Sequence, residues 1–256
     1  MITYYFQIIF LALIQGVSEF IPVSSSAHLF LISNIGKFSI QSLEIDISLH
    51  LGSLLAILIY FRSELINIFK NKKILNLILF GSMPIIIVGF ILYNFELIYQ
   101  LRNLKLIAST TLIFGILLYF VDKRPISNNI NQNLNFKNII AFGIFQILSL
   151  IPGVSRSGIV ITACRIYKFN RIDAAKISFL MAIPALLAST TYGIFSLINK
   201  DSLLLNINSI LTVSLSFVFY YFTIKYILIY LKKFNFNIII GYRLIRGLIL
   251  LSIAYL

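Results

Sequence analysis

Two short stretches carry residue types able to do chemistry, in a chain otherwise built of apolar runs. The first, 15-QGVSEFIPVSSSAHL-29, places Gln15, Glu19, a proline, four serines and His28 within fifteen residues. The second, 152-PGVSRSG-158, places Gly153, Ser155, Arg156 and Ser157 behind a Pro-Gly break. Gln15 and Glu19 are four apart and share a helix face; Ser24 and Ser25 stand four and three residues before His28. Pro22 ends one helix and Ser24 can N-cap the next, while Ser155 is the matching cap in the second stretch. Two helix N-termini facing one cavity make an anion site, and phosphate is the usual anion. Arg156, in the first turn after Ser155, has a charged fork that suits phosphoryl oxygens. Glu19 can take a divalent cation with phosphate oxygens as co-ligands. Either Ser25 or His28 can attack phosphorus, with the other or Glu19 moving the proton. Ser24, Ser26, Ser155, Ser157, Gly153 and Gln15 complete the expected substrate-binding set. The chemistry these residues support is phosphoryl transfer, in which charge neutralisation does most of the work.

The elements that must hold them are membrane helices. The chain has 256 residues, is 59% hydrophobic and only 11% charged, far short of the charge a soluble surface of this size carries. Apolar helices are expected near 2–19, 45–61, 74–93, 104–121, 138–151, 177–198, 207–231 and 237–256. The N-terminal run has no basic n-region and no A-x-A site, and reads as a membrane helix, not a removed signal peptide. Two pieces, 24–35 and 156–167, are too short for a crossing, which needs about 20 apolar residues. Each follows a proline break, so each is expected to return its chain to the face it came from, as a re-entrant hairpin. The expected fold is an all-α polytopic membrane protein: one domain, 1–256, with six crossings and two hairpins.

The formal charge of +13 belongs to loops, and nucleic acid is not expected as a partner. Lys37, Arg102, Lys105 and Lys200 fall on one side. Fourteen fall on the other: Arg62, Lys70, Lys72, Lys73, Lys123, Arg124, Lys137, Arg165, Lys168, Arg171, Lys176, Lys225, Lys232 and Lys233. The positive-inside rule makes the second side cytoplasmic, so both termini and the mouth of the first hairpin face the periplasm or cell exterior.

The two stretches also resemble each other. With 14-IQGVSEFIPVSSSA-27 set over 145-FQILSLIPGVSRSG-158, Gln15 meets Gln146, Ser18 meets Ser149, Val23 meets Val154, Ser24 meets Ser155 and Ser26 meets Ser157. Each copy opens a series of one hairpin and three crossings, giving repeats of about 1–122 and 135–256. An odd number of crossings inverts one copy relative to the other, and inverted repeats of broken helices place their site near the midplane.

Other polar residues have plainer expectations. Ser18, Ser26 and Ser149 can simply bond neighbouring backbone, and Gln15 and Gln146 can tie the hairpins together. Asp46 and His50, four apart, either form a structural pair at a helix start or line the cavity. Cys164, the single cysteine, reads as a small buried side chain and excludes a disulfide framework. Arg243 and Arg246 are expected at lipid headgroups.

The first stretch resembles the E/Q-x-x-x-E…PVSS-x-x-H motif of bacterial undecaprenyl-diphosphate phosphatases of the bacitracin-resistance type. The second resembles their PG-x-SRS motif, and 46-DISLHLGSLLAI-57 and 178-SFLMAIPALL-187 are similar to two further segments of that family. The resemblance runs from about residue 5 to the C-terminus. It implies hydrolysis of an isoprenoid diphosphate to its monophosphate with Mg or Ca, recycling the carrier of peptidoglycan and other cell-wall polymers in the bacterial cytoplasmic (inner) membrane. By motif position it makes Glu19, Ser25, His28 and Arg156 catalytic, with Gln15, Ser24 and Ser155 in support, and it puts the nucleophile at Ser25 with His28 as rival. Gln15 stands where many members carry Glu, which weakens a metal role there. Val160 stands where the second motif usually ends in Thr, and Thr162 lies two residues on.

The rival readings are a transporter or flippase of a phosphorylated isoprenoid lipid, which needs the anion site without the nucleophile, and, more weakly, an intramembrane serine protease. The expected partners are the isoprenoid diphosphate and membrane lipids, and the sequence leaves a homodimer open.

Overall fold

The computed structural model describes residues 2–25, 27–29, 43–95, 101, 103–199 and 207–255. Ser26, Lys37, Arg102, Lys200 and most of the short 24–35 piece lie outside them. The described chain is helical throughout, and its only β-type pairing is an isolated bridge between Asn128 and Phe169. Helix α1 spans Ile2–Ser18, α2 Leu43–Tyr60, α3 Arg62–Lys70, α4 Lys72–Asn94, α5 Leu104–Asp122 and α6 Ile130–Asn133. Helix α7 spans Phe136–Ile147 and runs into a 3₁₀ turn at Leu148–Leu150; α8 spans Arg156–Ile166, α9 Arg171–Asn199, α10 Ile207–Leu231 and α11 Asn237–Tyr255.

Six described helices, α2, α4, α5, α9, α10 and α11, are long and apolar enough to cross a membrane. α1 and α7 are shorter; α7 leads through a proline-containing turn into the short helix α8, and after α1 and its own proline-containing turn helix resumes at 25 and 27–29. The chain therefore has the expected all-α polytopic membrane fold.

The departures from expectation are at polar helix ends, where hydropathy is silent and capping decides. α9 begins at Arg171, not near 177, because Asn170 Oδ1 accepts the Asp173 amide at 2.8 Å and starts the helix in polar sequence. Asn71 caps α4 by accepting from Lys73 and Ile74, Asn135 caps α7, and Asn129 caps α6. Helix α3 was not expected: its charges hide it from an apolar window, though Ile66 and Phe69 lie exposed along it.

Without a hydrophobic drive between helices in lipid, close packing relies on small residues. A Cβ on Gly52 of α2 would sit 1.9 Å from Ser216 Oγ of α10, and one on Gly143 of α7 would sit 2.0 Å from the Gly81 carbonyl of α4. α1 packs on α10, and α7 packs on α4.

The end of the bundle that carries the basic loops is tied by Asp122. Its carboxylate takes Arg171 Nε at 2.8 Å and lies 3.4 Å from Arg165 Nε and from the Phe236 amide. Arg165 is fully buried and also donates to the carbonyls of Asp122, Arg124 and Phe169. The connection between α8 and α9 is thereby fixed to the end of α5 and the start of α11.

Candidate active site

The first tip forms where α1 stops at Ser18 and the chain turns through 19–23. Pro22 prevents the helix from continuing. Ser24 then takes φ +70°, and helix resumes at 25 and 27–29. In the second tip Gly153 takes φ +93°, Ser155 takes φ +71°, and Ser155 Oγ accepts the Gly158 amide at 3.2 Å to cap α8. Gly153 is required twice over: its φ is left-handed, and a Cβ there would sit 2.2 Å from Thr110 Oγ1. Ser24 and Ser155, matched in the sequence alignment, thus share a backbone conformation uncommon for a side-chain-bearing residue.

The tips touch. Ser157 Oγ lies 3.1 Å from both the Glu19 and the Ile21 carbonyl oxygens, donating across from the second tip to the first. Arg156 Nη2 donates to Glu19 Oε1 at 2.7 Å. The other carboxylate oxygen, Oε2, accepts from Ser25 Oγ at 2.6 Å and from Gln15 Nε2 at 3.1 Å. One carboxylate therefore joins a hydroxyl of its own half to a guanidinium of the other. Hydroxyl, base and cation stand in line, the arrangement of an activated nucleophile beside a charge-neutralising donor.

These groups form the polar end of a cavity of about 580 Å³, lined there by Gln15, Glu19, Ser24, Ser25, Ser155 and Arg156. Asp46 and His50 of α2 line it too, which favours the cavity-lining reading of that pair, and His50 Nδ1 is buried without a hydrogen-bond partner. Away from the tips the cavity turns apolar between α4 and α9, with Ile85, Ile86 and Phe90 on one side and Ala185, Ala188 and Tyr192 on the other.

Of the residues singled out in the sequence, the structure thus brings together Gln15, Glu19, Ser24, Ser25, Ser155, Arg156 and Ser157, with Gly153 shaping the second turn. Among the described contacts His28 meets them only at the Ser24 carbonyl. His28 does not line the cavity. Its Nδ1 is 2.8 Å from the Ser24 carbonyl, its Nε2 is 2.7 Å from Tyr242 Oη, and its ring stacks on Tyr242 at 5.9 Å between centroids. Arg246 Nη1 stands 2.8 Å from Nε2. Val160, Thr162 and Cys164 are buried in α8, and Thr162 bonds only the Gly158 carbonyl among the described contacts. Ser18 likewise bonds backbone, the Ile14 carbonyl at 2.6 Å. Gln146 is fully buried and its amide has no partner, so it ties no hairpin to another through the described residues.

Arg243 and Arg246 overturn the headgroup expectation. They are 1% and 6% exposed and reach inward to the tips. Sequence reasoning missed them because a basic residue near a chain end resembles an interface anchor. The available signal was their place three apart in the middle of an apolar crossing, where an ionised residue is expensive unless it is used.

A family model described as "Bacitracin resistance protein BacA" matches residues 8–249. An undecaprenyl-diphosphatase of Pelagibacter ubique (strain HTCC1062) is 50% identical over 250 residues, covering 97% of each chain. One of Aliivibrio salmonicida (strain LFI1238) is 35% identical over 262 residues, again covering 97% of each. One of Elusimicrobium minutum (strain Pei191) is 36% identical over 255 residues and 96% of each.

Proposed function

The chain belongs to the bacitracin resistance protein BacA family, and we propose that it hydrolyses undecaprenyl diphosphate to undecaprenyl phosphate and inorganic phosphate where its two tips meet. The relatives that match it nearly end to end carry the name of this phosphatase, which favours hydrolysis over transport. The observation that carries the reading is the Ser25–Glu19–Arg156 line, a constellation that carriage of an intact lipid does not need.

In this reading Ser25 Oγ attacks the terminal phosphorus as Glu19 takes its proton. The bond from that phosphorus to the bridging oxygen breaks, and undecaprenyl phosphate leaves with the electron pair. Glu19 releases that proton to the departing undecaprenyl phosphate; water then attacks the phosphoserine as Glu19 takes its proton, and Glu19 passes it to Ser25 Oγ as that P–O bond breaks and inorganic phosphate departs. Arg156 and the two helix N-termini stabilise the charge on the transferring group. His28 braces the first tip through the Ser24 carbonyl, and Ser25 is the nucleophile because it alone of the two touches Glu19.

The donor set fits a divalent cation, Mg or Ca, only in part. Among the described residues no three His, Cys, Asp or Glu side chains are grouped to hold a metal ion. Gln15 lines the cavity, and its Oε1, buried beside Glu19 and without a hydrogen-bond partner, is a hard oxygen donor. Glu19 and Gln15 would hold such an ion jointly with headgroup oxygens, and it would supply further neutralisation of phosphoryl charge.

The apolar stretch between α4 and α9 takes the first isoprenoid units, leaving the rest of the tail in lipid. The excess of basic residues in the loops joined by α3 and by 232–233 supports a multi-pass protein of the bacterial cytoplasmic membrane whose first tip is reached from the periplasm or cell exterior. The two halves are inverted repeats, a reading supported by the matched φ at Ser24 and Ser155 and by the exchanged α1–α10 and α7–α4 contacts.

The test is phosphate release from undecaprenyl diphosphate by the detergent-purified chain, with and without chelator. Stoichiometric release that chelator suppresses supports the account. Binding of the lipid, or its movement across vesicle bilayers, without release of phosphate contradicts it.

A further inference from the structure

Where a helix breaks inside a membrane, its carbonyls lose their partners and no bulk water replaces them. Ser157 serves the Glu19 and Ile21 carbonyls and Thr110 the Pro152 carbonyl, and in both tips further donors come from α11. Arg243 Nε donates to the Thr111 carbonyl at 3.0 Å and Nη1 to the Pro22 carbonyl at 3.2 Å, while Nη2 reaches the carbonyls of Gly153 at 3.0 Å and Val154 at 2.7 Å. One guanidinium thus holds α5, the first tip and the second. One turn further, Arg246 donates to the carbonyls of Val23 and Ser24. Neither arginine has a carboxylate within ion-pair range among the described residues. The backbone is cleared for the guanidinium as well: a Cβ on Gly158 would sit 2.9 Å from Arg243 Nη1.

Carbonyl and amide point in opposite directions across a trans peptide plane. The Val23 carbonyl shares its plane with the Ser24 N–H, the Ser24 carbonyl with the Ser25 N–H, and the Val154 carbonyl with the Ser155 N–H. The carbonyls are held toward α11, and Ser24, Ser25 and Ser155 line the cavity. The left-handed φ at Ser24 and at Ser155 is what such peptide orientations require, and serine adopts it only where its surroundings impose it.

We propose that Arg243 and Arg246 are positioning residues for hydrolysis: by gripping the carbonyls of both tips they set the peptide planes that present the amides of Ser24, Ser25 and Ser155 to the diphosphate. This rests on the phosphatase reading for its activity readout and on the geometry alone for its binding readout. The fork is essential to the role, because a lysine at 243 offers one nitrogen where four carbonyls are gripped.

The experiment compares the full-length wild type with Arg243→Ala, Arg243→Lys and Arg246→Gln, measuring kcat and KM for undecaprenyl diphosphate, the dissociation constant of inorganic pyrophosphate and thermal stability in detergent. Arg243→Ala is expected to lose about 100-fold in kcat, the scale of a lost oxyanion donor, with KM within a few-fold. Pyrophosphate binding weakens by the same few-fold as KM, and millimolar guanidinium restores part of both losses. Arg243→Lys fails similarly despite its charge, and Arg246→Gln loses less because it grips only the first tip. Wild-type kcat and pyrophosphate affinity in Arg243→Ala, or a loss that guanidinium leaves untouched while stability falls, overturns the proposal. If Arg243→Ala does not fold, Arg246→Gln decides, and wild-type behaviour there overturns it equally. A wild type that releases no phosphate contradicts the phosphatase reading instead, and pyrophosphate affinity across the same variants still decides the clamp.

Discussion

Glu19 and Arg156 stand 137 positions apart in the chain and meet in one ion pair of 2.7 Å, their side chains 8% and 15% exposed. Glu19 divides its oxygens: Oε1 serves the opposite half of the molecule and Oε2 serves Ser25. A base bound on one side is aligned on the other, so in the proposed reaction Arg156 would act on the serine through the carboxylate as well as on the phosphate directly.

Ser25→Ala removes the attacking oxygen and leaves the anion site intact. Its kcat is expected to fall at least about 1,000-fold, with the dissociation constant of pyrophosphate within a few-fold of wild type. Single-turnover phosphate release with a binding titration on the same preparation checks this.

His28 separates a bracing role from a chemical one. Asn offers a side-chain amide near the place of Nδ1–H and can still donate to the Ser24 carbonyl, which His28 meets at 2.8 Å. His28→Asn is expected to keep clearly more activity than His28→Ala and an unchanged pH profile. Equal loss of about 1,000-fold in both would assign the imidazole a proton or nucleophile role.

The six crossings were legible because each carries a long apolar run, and the tips because proline, glycine and serine interrupt those runs in two matching places. The meeting of Glu19 with Arg156 was legible only as a consequence of that match, since no local pattern joins residues so far apart. Two things were not. His28 shares a helical turn with Ser24 and Ser25, yet adjacency in sequence does not say which way an imidazole turns, and Tyr242 and Arg246 on α11 decide it. The inward reach of Arg243 and Arg246 depends on carbonyls freed by two distant breaks, and hydropathy does not record orphan carbonyls. Capped polar starts, as at Asn170, and the charged helix α3 escaped for the same reason.

At the opposite end of the bundle, Asp122 compensates Arg165, which is fully buried. Asp122→Asn leaves that cation without its carboxylate and is expected to cost about 3 kcal/mol or more of stability. Thermal unfolding in detergent reads this as a clear fall in midpoint, while pyrophosphate affinity of the still-folded fraction stays near wild type.

Gly143→Ala tests the contact between α7 and α4. The added methyl falls 2.0 Å from the Gly81 carbonyl, so the helices must part. A loss of about 1–3 kcal/mol is expected, whereas Gly241→Ala, where nothing lies within 4 Å, leaves the midpoint unchanged or slightly raised.

The central claim is that two tips from opposite halves act as one unit on a single diphosphate. A double-mutant cycle on phosphate release, with Glu19→Gln, Arg156→Gln and the pair combined, tests it most directly. The account predicts that each single change costs about 100-fold or more and that the combined change costs little beyond the worse of the two. Losses that simply multiply, or a single variant that hydrolyses at the wild-type rate, would contradict it.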